Sequence, residues 1–275
     1  MRILLTNDDG IYAPGLLAMR DALAELGEVT VVAPATEQSG VGHSITFLTP
    51  LMAGQVYVDD ELRGWAVEGS PADCVKLAVA KLFPAATSDP EARPDLLVSG
   101  INHGLNAGIN VMYSGTVAAA TEGALNDIPS IAVSVEYEEH PHFRSAAKIA
   151  TNLIRQMLDA DAWRDHLLYN LNLPTTATVT SVMGPPESTE VRITRMGSTR
   201  WDSAFEERID PKGRRYYWTT GTPPTTPPGA DTDVTAITEG AISLTPLMID
   251  RTRHDQLNEM QTWNLAAGEG VPSRG

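Results

Sequence analysis

Arg2-Ile3-Leu4-Leu5-Thr6-Asn7-Asp8-Asp9-Gly10 is the stretch on which the reading turns: a short apolar run breaks into a polar turn that carries two adjacent carboxylates. Apolar residues at helical spacing follow from Pro14 to Leu26, Gly27 stops them, and Val29–Ala33 resumes as a β-branched run. That is strand, loop, helix, strand, and the unit recurs. Ser70-Pro71 offers an N-cap and a first-turn proline to a helix over Ala72–Phe83, Asp95–Ser99 reads as a strand, Thr116–Leu125 as a helix and Ile128–Val135 as a third buried strand. Continuous apolar strands alternating with helices predict an α/β fold with a mostly parallel sheet covered on both faces.

Beyond residue 135 the pattern predicts a helix over Phe143–Leu158, a strand over Leu167–Leu173 closed by Pro174, and β-type alternation at 179–183 and 191–195. Residues 197–235 are rich in Pro, Thr, Arg and aromatics, with Tyr216-Tyr217-Trp218 and Pro223-Pro224-Thr225-Thr226-Pro227-Pro228. Such a stretch fills no core by itself; it is either a loop or an arm that packs on a partner subunit, and three adjacent aromatics favour the arm. A strand at Ala241–Pro246, a helix over Thr252–Trp263 and a flexible tail over 266–275 complete the expectation. The expected organisation is a single domain over 1–265, with its core at about 1–195 and 232–250 and the arm at 196–231.

Composition bounds the function. The 275 residues hold 20 Lys+Arg against 35 Asp+Glu, a formal net charge of −15, which excludes a basic surface for duplex nucleic acid. A chain with 42% hydrophobic residues at this length buries a sizeable core. Cys74 is the one cysteine, so neither an intrachain disulfide nor a Cys-based zinc or redox pair forms; on its predicted helix it reads as a buried, inert thiol. The first residues lack the pattern of a signal peptide, and no window approaches the ~18 apolar residues of a membrane-spanning helix. The expected setting is soluble and cytoplasmic, with no membrane partner.

Three loops follow predicted strands and therefore share one edge of the sheet, where open α/β folds bind ligands. Asp8 and Asp9 suit a hard cation such as Mg²⁺ or Mn²⁺, although Asp-Asp-Gly taken alone is also a common solvated turn. Ser99-Gly100-Ile101-Asn102-His103-Gly104-Leu105-Asn106-Ala107-Gly108-Ile109-Asn110 interleaves glycines, which let backbone approach a ligand, with amide side chains that offer neutral oxygens and N–H donors. It is neither a dinucleotide fingerprint nor a Walker loop. Tyr113-Ser114-Gly115-Thr116 opens a small-residue helix; its hydroxyls and free amides make an anion cradle, or Ser and Thr serve only as caps. In Glu37-Gln38-Ser39-Gly40-Val41-Gly42-His43, Ser39 is a ligand for metal or phosphate or a turn residue, and His43 reads as a surface or supporting side chain. Residues 1–135 hold 6 Lys+Arg and 16 Asp+Glu, a field that repels phosphate unless a divalent cation intervenes. Between Arg192 and Arg215 seven basic and four acidic residues stand together, so the arm either draws anionic substrates or is a solvated surface of mixed charge.

Asn7-Asp8-Asp9-Gly10, Glu37-Gln38-Ser39-Gly40, Gly69-Ser70-Pro71-Ala72-Asp73-Cys74-Val75, Ser99 to Asn106, Tyr113-Ser114-Gly115-Thr116-Val117 and Asn170-Leu171-Asn172-Leu173-Pro174 together resemble the SurE family of stationary-phase survival proteins. The resemblance runs from residue 3 to about 250, through Thr232-Asp233 and Ser243-Leu244-Thr245-Pro246-Leu247. It implies a Rossmann-like core, C-terminal elements exchanged between subunits of a homodimer or homotetramer, and a phosphatase acting on nucleoside 5′- and 3′-monophosphates. It further implies one divalent cation per subunit on Asp8, Asp9, Ser39 and Asn102, and phosphate held by Asn106, Ser114, Gly115 and Thr116. In that picture Asp8 or Asp9 attacks phosphorus or activates water, and both an aspartyl-phosphate and direct water attack stay open.

Three rivals frame the reading. A haloacid-dehalogenase-type phosphohydrolase needs Asp-x-Asp and a downstream Lys, whereas here the acids are adjacent. A non-catalytic nucleotide- or phosphate-binding stress module would use the same crevice without turnover. An interaction protein would work through its aromatic arm.

Overall fold

A computed structural model describes residues 1–83, 92–183, 189–198, 202–222, 229–263 and 265. Its centre is a nine-stranded sheet formed by β1 (Arg2–Thr6), β2 (Glu28–Pro34), β3 (Ala53–Val58), β4 (Glu61–Val67), β5 (Leu96–His103), β6 (Ser130–Val135), β7 (Leu168–Leu173), β8 (Val191–Ile193) and β11 (Ile242–Pro246), in the order β3-β4-β2-β1-β5-β6-β7-β11-β8. The six strands from β4 to β7 in that order run parallel; β3 and β11 add antiparallel neighbours at the two sides. From β1 the chain first builds outward through β2 to β4, then crosses back to lay β5 on the other side of β1. The sheet therefore has its switch point between β1 and β5, and a crevice opens there beyond the carboxyl ends.

Helices α1 (Pro14–Leu23) and α4 (Phe143–Asp159) cover one face, and α2 (Pro71–Leu77) and α3 (Gly115–Leu125) cover the other. The unbroken apolar strands are explained by this two-sided cover. Ile3 and Leu5 enter the core under α1 and α4 while Leu4 enters the one under α2 and α3; Leu96 and Val98 against Leu97, and Ile131 and Val133 against Ala132, divide in the same way. Helix α3 is almost wholly buried, and its Ala118-Ala119-Ala120 run lets it lie close on the sheet. Cys74 is buried as expected, and burial pushes its thiol far above the ordinary range, so it is inert.

The predicted elements recur with small shifts; one reading is corrected and one hairpin is added. Residues 179–183 belong not to a strand but to helix α5 (Thr175–Met183), which packs Ala177 and Thr178 inward, and this packing overrides the β-branched composition. The β3–β4 hairpin escaped the sequence reading because β3 is mostly exposed and carries no buried apolar run. Within the arm, β9 (Asp202–Ile209) and β10 (Arg215–Thr222) form a separate two-stranded antiparallel hairpin, with Phe205, Tyr217 and Trp218 exposed. After it come α6 (Asp233–Thr238), then β11, and α7 (His254–Gln261), which buries no residue. The Pro223–Pro228 run and the 266–275 tail lie outside the described residues. Among the described residues, no helix is long and apolar enough to cross a membrane.

Candidate active site

The turn after β1 is built by Asn7, which sits fully buried and closes on itself: its Nδ2 donates to the Gly10 carbonyl at 3.1 Å and its Oδ1 accepts from the Gly10 amide at 3.2 Å. This fixes Asp8 and Asp9 at the switch point. The loop after β2 docks on them through the Gln38 amide, which donates to the Asp8 carbonyl at 2.8 Å. Asp8, Asp9, Glu37, Ser39, Asn102, Asn106 and Ser114 line one cleft of about 410 Å³.

Asp8 is 6% exposed, and its Oδ1 accepts a hydrogen bond from the Thr116 hydroxyl. Burial pushes the Asp8 carboxyl up to about 6; the Thr116 bond opposes this and the neighbouring Asp9 charge adds to it. Asp9 is more accessible; burial also raises its carboxyl above the usual range, against the hydrogen bond from the His103 amide at 3.2 Å, and Glu37 raises it further. No Lys or Arg stands among the described residues of the cleft wall. A buried and a half-buried carboxylate, with a third nearby and no Lys or Arg among the described wall residues, are costly to keep ionised at neutral pH. The donor set fits a hard cation: carboxylate, hydroxyl and amide oxygens, with no thiolate. Among the described residues no three His, Cys, Asp or Glu side chains converge as a metal cage, here or elsewhere, so the oxygen set in this cleft relies on hydroxyl and amide groups beside Asp8 and Asp9.

Strand β5 delivers the amides. Its register on β6 slips between Ser99 and Asn102, and Gly100 permits this at φ +144°, where a Cβ would lie 2.3 Å from the Val133 carbonyl oxygen. Asn102 spends its Nδ2 on the Gly104 carbonyl at 2.6 Å, which leaves the side-chain carbonyl oxygen, the atom a cation takes. Asn106 is held from three sides. Its amide donates to Asn172 Oδ1 at 2.9 Å, its Nδ2 to Ser134 Oγ at 2.9 Å, and its carbonyl accepts from Asn170 Nδ2 at 2.7 Å. Asp233 anchors the end of the loop by accepting from the Gly108 amide at 2.8 Å and the Gly197 amide at 2.8 Å.

Ser39 is exposed at the mouth, with its hydroxyl donating to Glu37 Oε1 at 2.6 Å. Ser114 caps α3, its Oγ accepting from the Val117 amide at 3.1 Å. Gly115 and Thr116 lie behind Asp8 rather than on the cleft wall, so the Thr116 hydroxyl, read from the sequence as a phosphate contact, is committed to a carboxylate. Sequence reasoning missed two supports, Ser134 and a buried Glu122 on α3 that meets His43 at 2.8 Å and accepts from Lys76 at 3.3 Å, while Asp233 stood in the Thr232-Asp233 motif without its partners. Although burial works the other way, His43 and Lys76 hold the Glu122 carboxyl below its ordinary range. The two asparagines of Asn170-Leu171-Asn172 were visible as a motif; what they hold was not.

The family model described as survival protein SurE matches residues 3–203. The chain is 53% identical over 265 residues to the 5′-nucleotidase SurE of Rhodopirellula baltica, covering 96% of this chain and 99% of that one. It is 43% identical to the 5′-nucleotidase SurE of Carboxydothermus hydrogenoformans over the full length of both. The crystal structure of the SurE protein from Aquifex aeolicus superposes with a TM-score of 0.77 at 34% identity, covering 95% of this chain and 99% of that one. With the two carboxylates at the switch point, the asparagine loop of β5 and the capped start of α3 all within the matched residues, the chain belongs to the SurE family.

Proposed function

We propose that this chain is a divalent-metal-dependent phosphohydrolase that releases phosphate from nucleoside 5′- and 3′-monophosphates. The observation that carries the reading is the cleft itself: Asp8, Asp9 and Glu37 on a wall whose described residues include no Lys or Arg, beside a helix start. A phosphate enters such a field only with a cation beside the carboxylates. Asp8, Asp9, Ser39 and Asn102 would hold one Mg²⁺ or Mn²⁺ per subunit. Bound there, the ion supplies Lewis acidity at the phosphoryl oxygens and a more acidic water. Asn106 and Ser114 face the same space, and the amides of the first turn at Gly115 and Thr116 lend the positive end of α3. Thr116 fixes one oxygen of Asp8, while Asp9 is the more accessible of the two. Attack by an Asp oxygen and attack by water that an Asp deprotonates both fit two carboxylates beside the phosphate. The names of the relatives support the nucleotide as substrate.

The test is phosphate release from a panel of 5′- and 3′-mononucleotides with Mg²⁺ or Mn²⁺ added, and again with EDTA. Release that needs the metal is expected on both classes. No release by the folded protein with any metal, nucleotide binding being intact, would leave the crevice as a binding site only. The assembly partner proposed is a second copy of the chain, supported by the exposed aromatics of the β9–β10 hairpin and the unburied α7.

A further inference from the structure

The mouth of the cleft carries an aromatic pair that the proposed chemistry at phosphorus does not use. His103 lines the cleft beside the carboxylates, and its backbone amide donates to Asp9 Oδ2 at 3.2 Å. The imidazole is fixed from behind: Phe143 meets it edge-on with centroids 5.6 Å apart, and its Nε2 sits 2.9 Å from the Glu138 carbonyl oxygen. Tyr137, just past the end of β6, lies flat on that imidazole with centroids 4.5 Å apart and planes 13° from parallel. Yet Tyr137 is 71% exposed, so the ring face turned away from His103 is open. Both rings line the same cleft as Asp8, Asp9 and Asn102.

A large aromatic side chain that is orientated by stacking and left open on its other side is a surface for another planar ring. A flat heterocycle gains there by dispersion and quadrupole contact without any charge, which matters in a cleft whose charged side chains are acidic. We infer that the open face of Tyr137, backed by His103, is the shelf on which the base of a nucleotide stacks while its phosphate lies at the carboxylates. The inference rests on the nucleotidase reading and adds to it the feature that selects an aromatic nucleoside over other phosphate monoesters. Stacking tolerates any base, since every base has a π face, so the shelf favours nucleotides as a class.

The test compares two ligands of the same site, one with a base and one without. For the wild type, Tyr137→Leu and Tyr137→Phe, the KM for AMP and the inhibition constant of inorganic phosphate are measured with Mn²⁺ present. The ratio of the AMP KM to the phosphate constant is expected to rise roughly tenfold in Tyr137→Leu and to hold in Tyr137→Phe, as loss of one base stack requires. A ratio unchanged in Tyr137→Leu, whether both constants hold or both rise together, would overturn the shelf; the second pattern is that of a disturbed cleft. A wild type that releases no phosphate from AMP would overturn the nucleotidase reading itself, a result distinct from either.

Discussion

Thr116 decides where Asp8 points. Its hydroxyl holds one carboxylate oxygen, and Gly115 beside it leaves the room that the carboxylate needs: a Cβ at Gly115 would lie 2.9 Å from Asp8 Cβ, 3.1 Å from Asp8 Oδ2 and 3.0 Å from Pro71 Cγ. Gly115→Ala therefore displaces Asp8 or the start of α3. We expect phosphate release to fall by about a hundredfold, the scale of a misplacement of about 1 Å, with overpacking costing about 1–3 kcal/mol. Turnover and thermal unfolding measured side by side check this, and turnover kept within a factor of about two would show that the Asp8 position is not critical. At this scale the sequence was informative about residue types and less so about partners. Asp8, Asp9 and Asn102 stood out by their place at strand ends, but their assignment as ligands came from the family resemblance, because Asp-Asp-Gly and Asn-rich loops are also common turns. Thr116 was legible only as a hydroxyl at a helix start, because its partner lies 108 residues away.

Helix α2 shows how an element is pinned to the site from a distance. Ser70 and Asp73 form a reciprocal capping box, and Asp73 also accepts from the Thr46 amide at 2.8 Å and the Thr46 hydroxyl at 2.7 Å, which ties down the segment after His43. Burial raises the Asp73 carboxyl, but the bonds from Thr46 and Ser70 outweigh it and hold the group below its ordinary value. A carboxyl depressed in the fold adds stability above its unfolded value, near pH 4, and loses it as pH falls through the folded value. Asp73→Asn is thus expected to cost about 2 kcal/mol in urea unfolding at neutral pH, and the gap from wild type to narrow as pH drops below about 4. A gap independent of pH would mean that the Asp73 charge is not what the cap uses. Strands β1, β2, β5 and β6 were legible because cover on both faces writes a continuous apolar run, and β7 because leucines alternate with its asparagines up to Pro174. Strand β3 was not, since an exposed edge strand needs no such run, and α5 was misread because packing of Ala177 outweighs β-branched propensity.

On the scale of the whole molecule, the sheet order places β1 and β5 side by side at the point where the chain reverses direction, and every candidate loop opens there. The fold class was legible from alternating strands and helices; the switch point follows from strand order, which periodicity does not encode. The hairpin of β9 and β10 stands apart from the main sheet with its aromatics exposed, as an interface element would. Deleting residues 200–229 is expected to lower the mass of the assembly in light scattering, and an unchanged mass would remove the arm from any subunit contact. Asp8 and Asp9 are proposed to hold a divalent cation in the cleft, and calorimetric titration of Mn²⁺ into the chain and into Asp9→Asn checks this. About one ion per chain is expected for the wild type and at least about tenfold weaker binding for the variant, at an unchanged melting temperature. Equal binding by the two folded proteins, or none by the wild type, would contradict it.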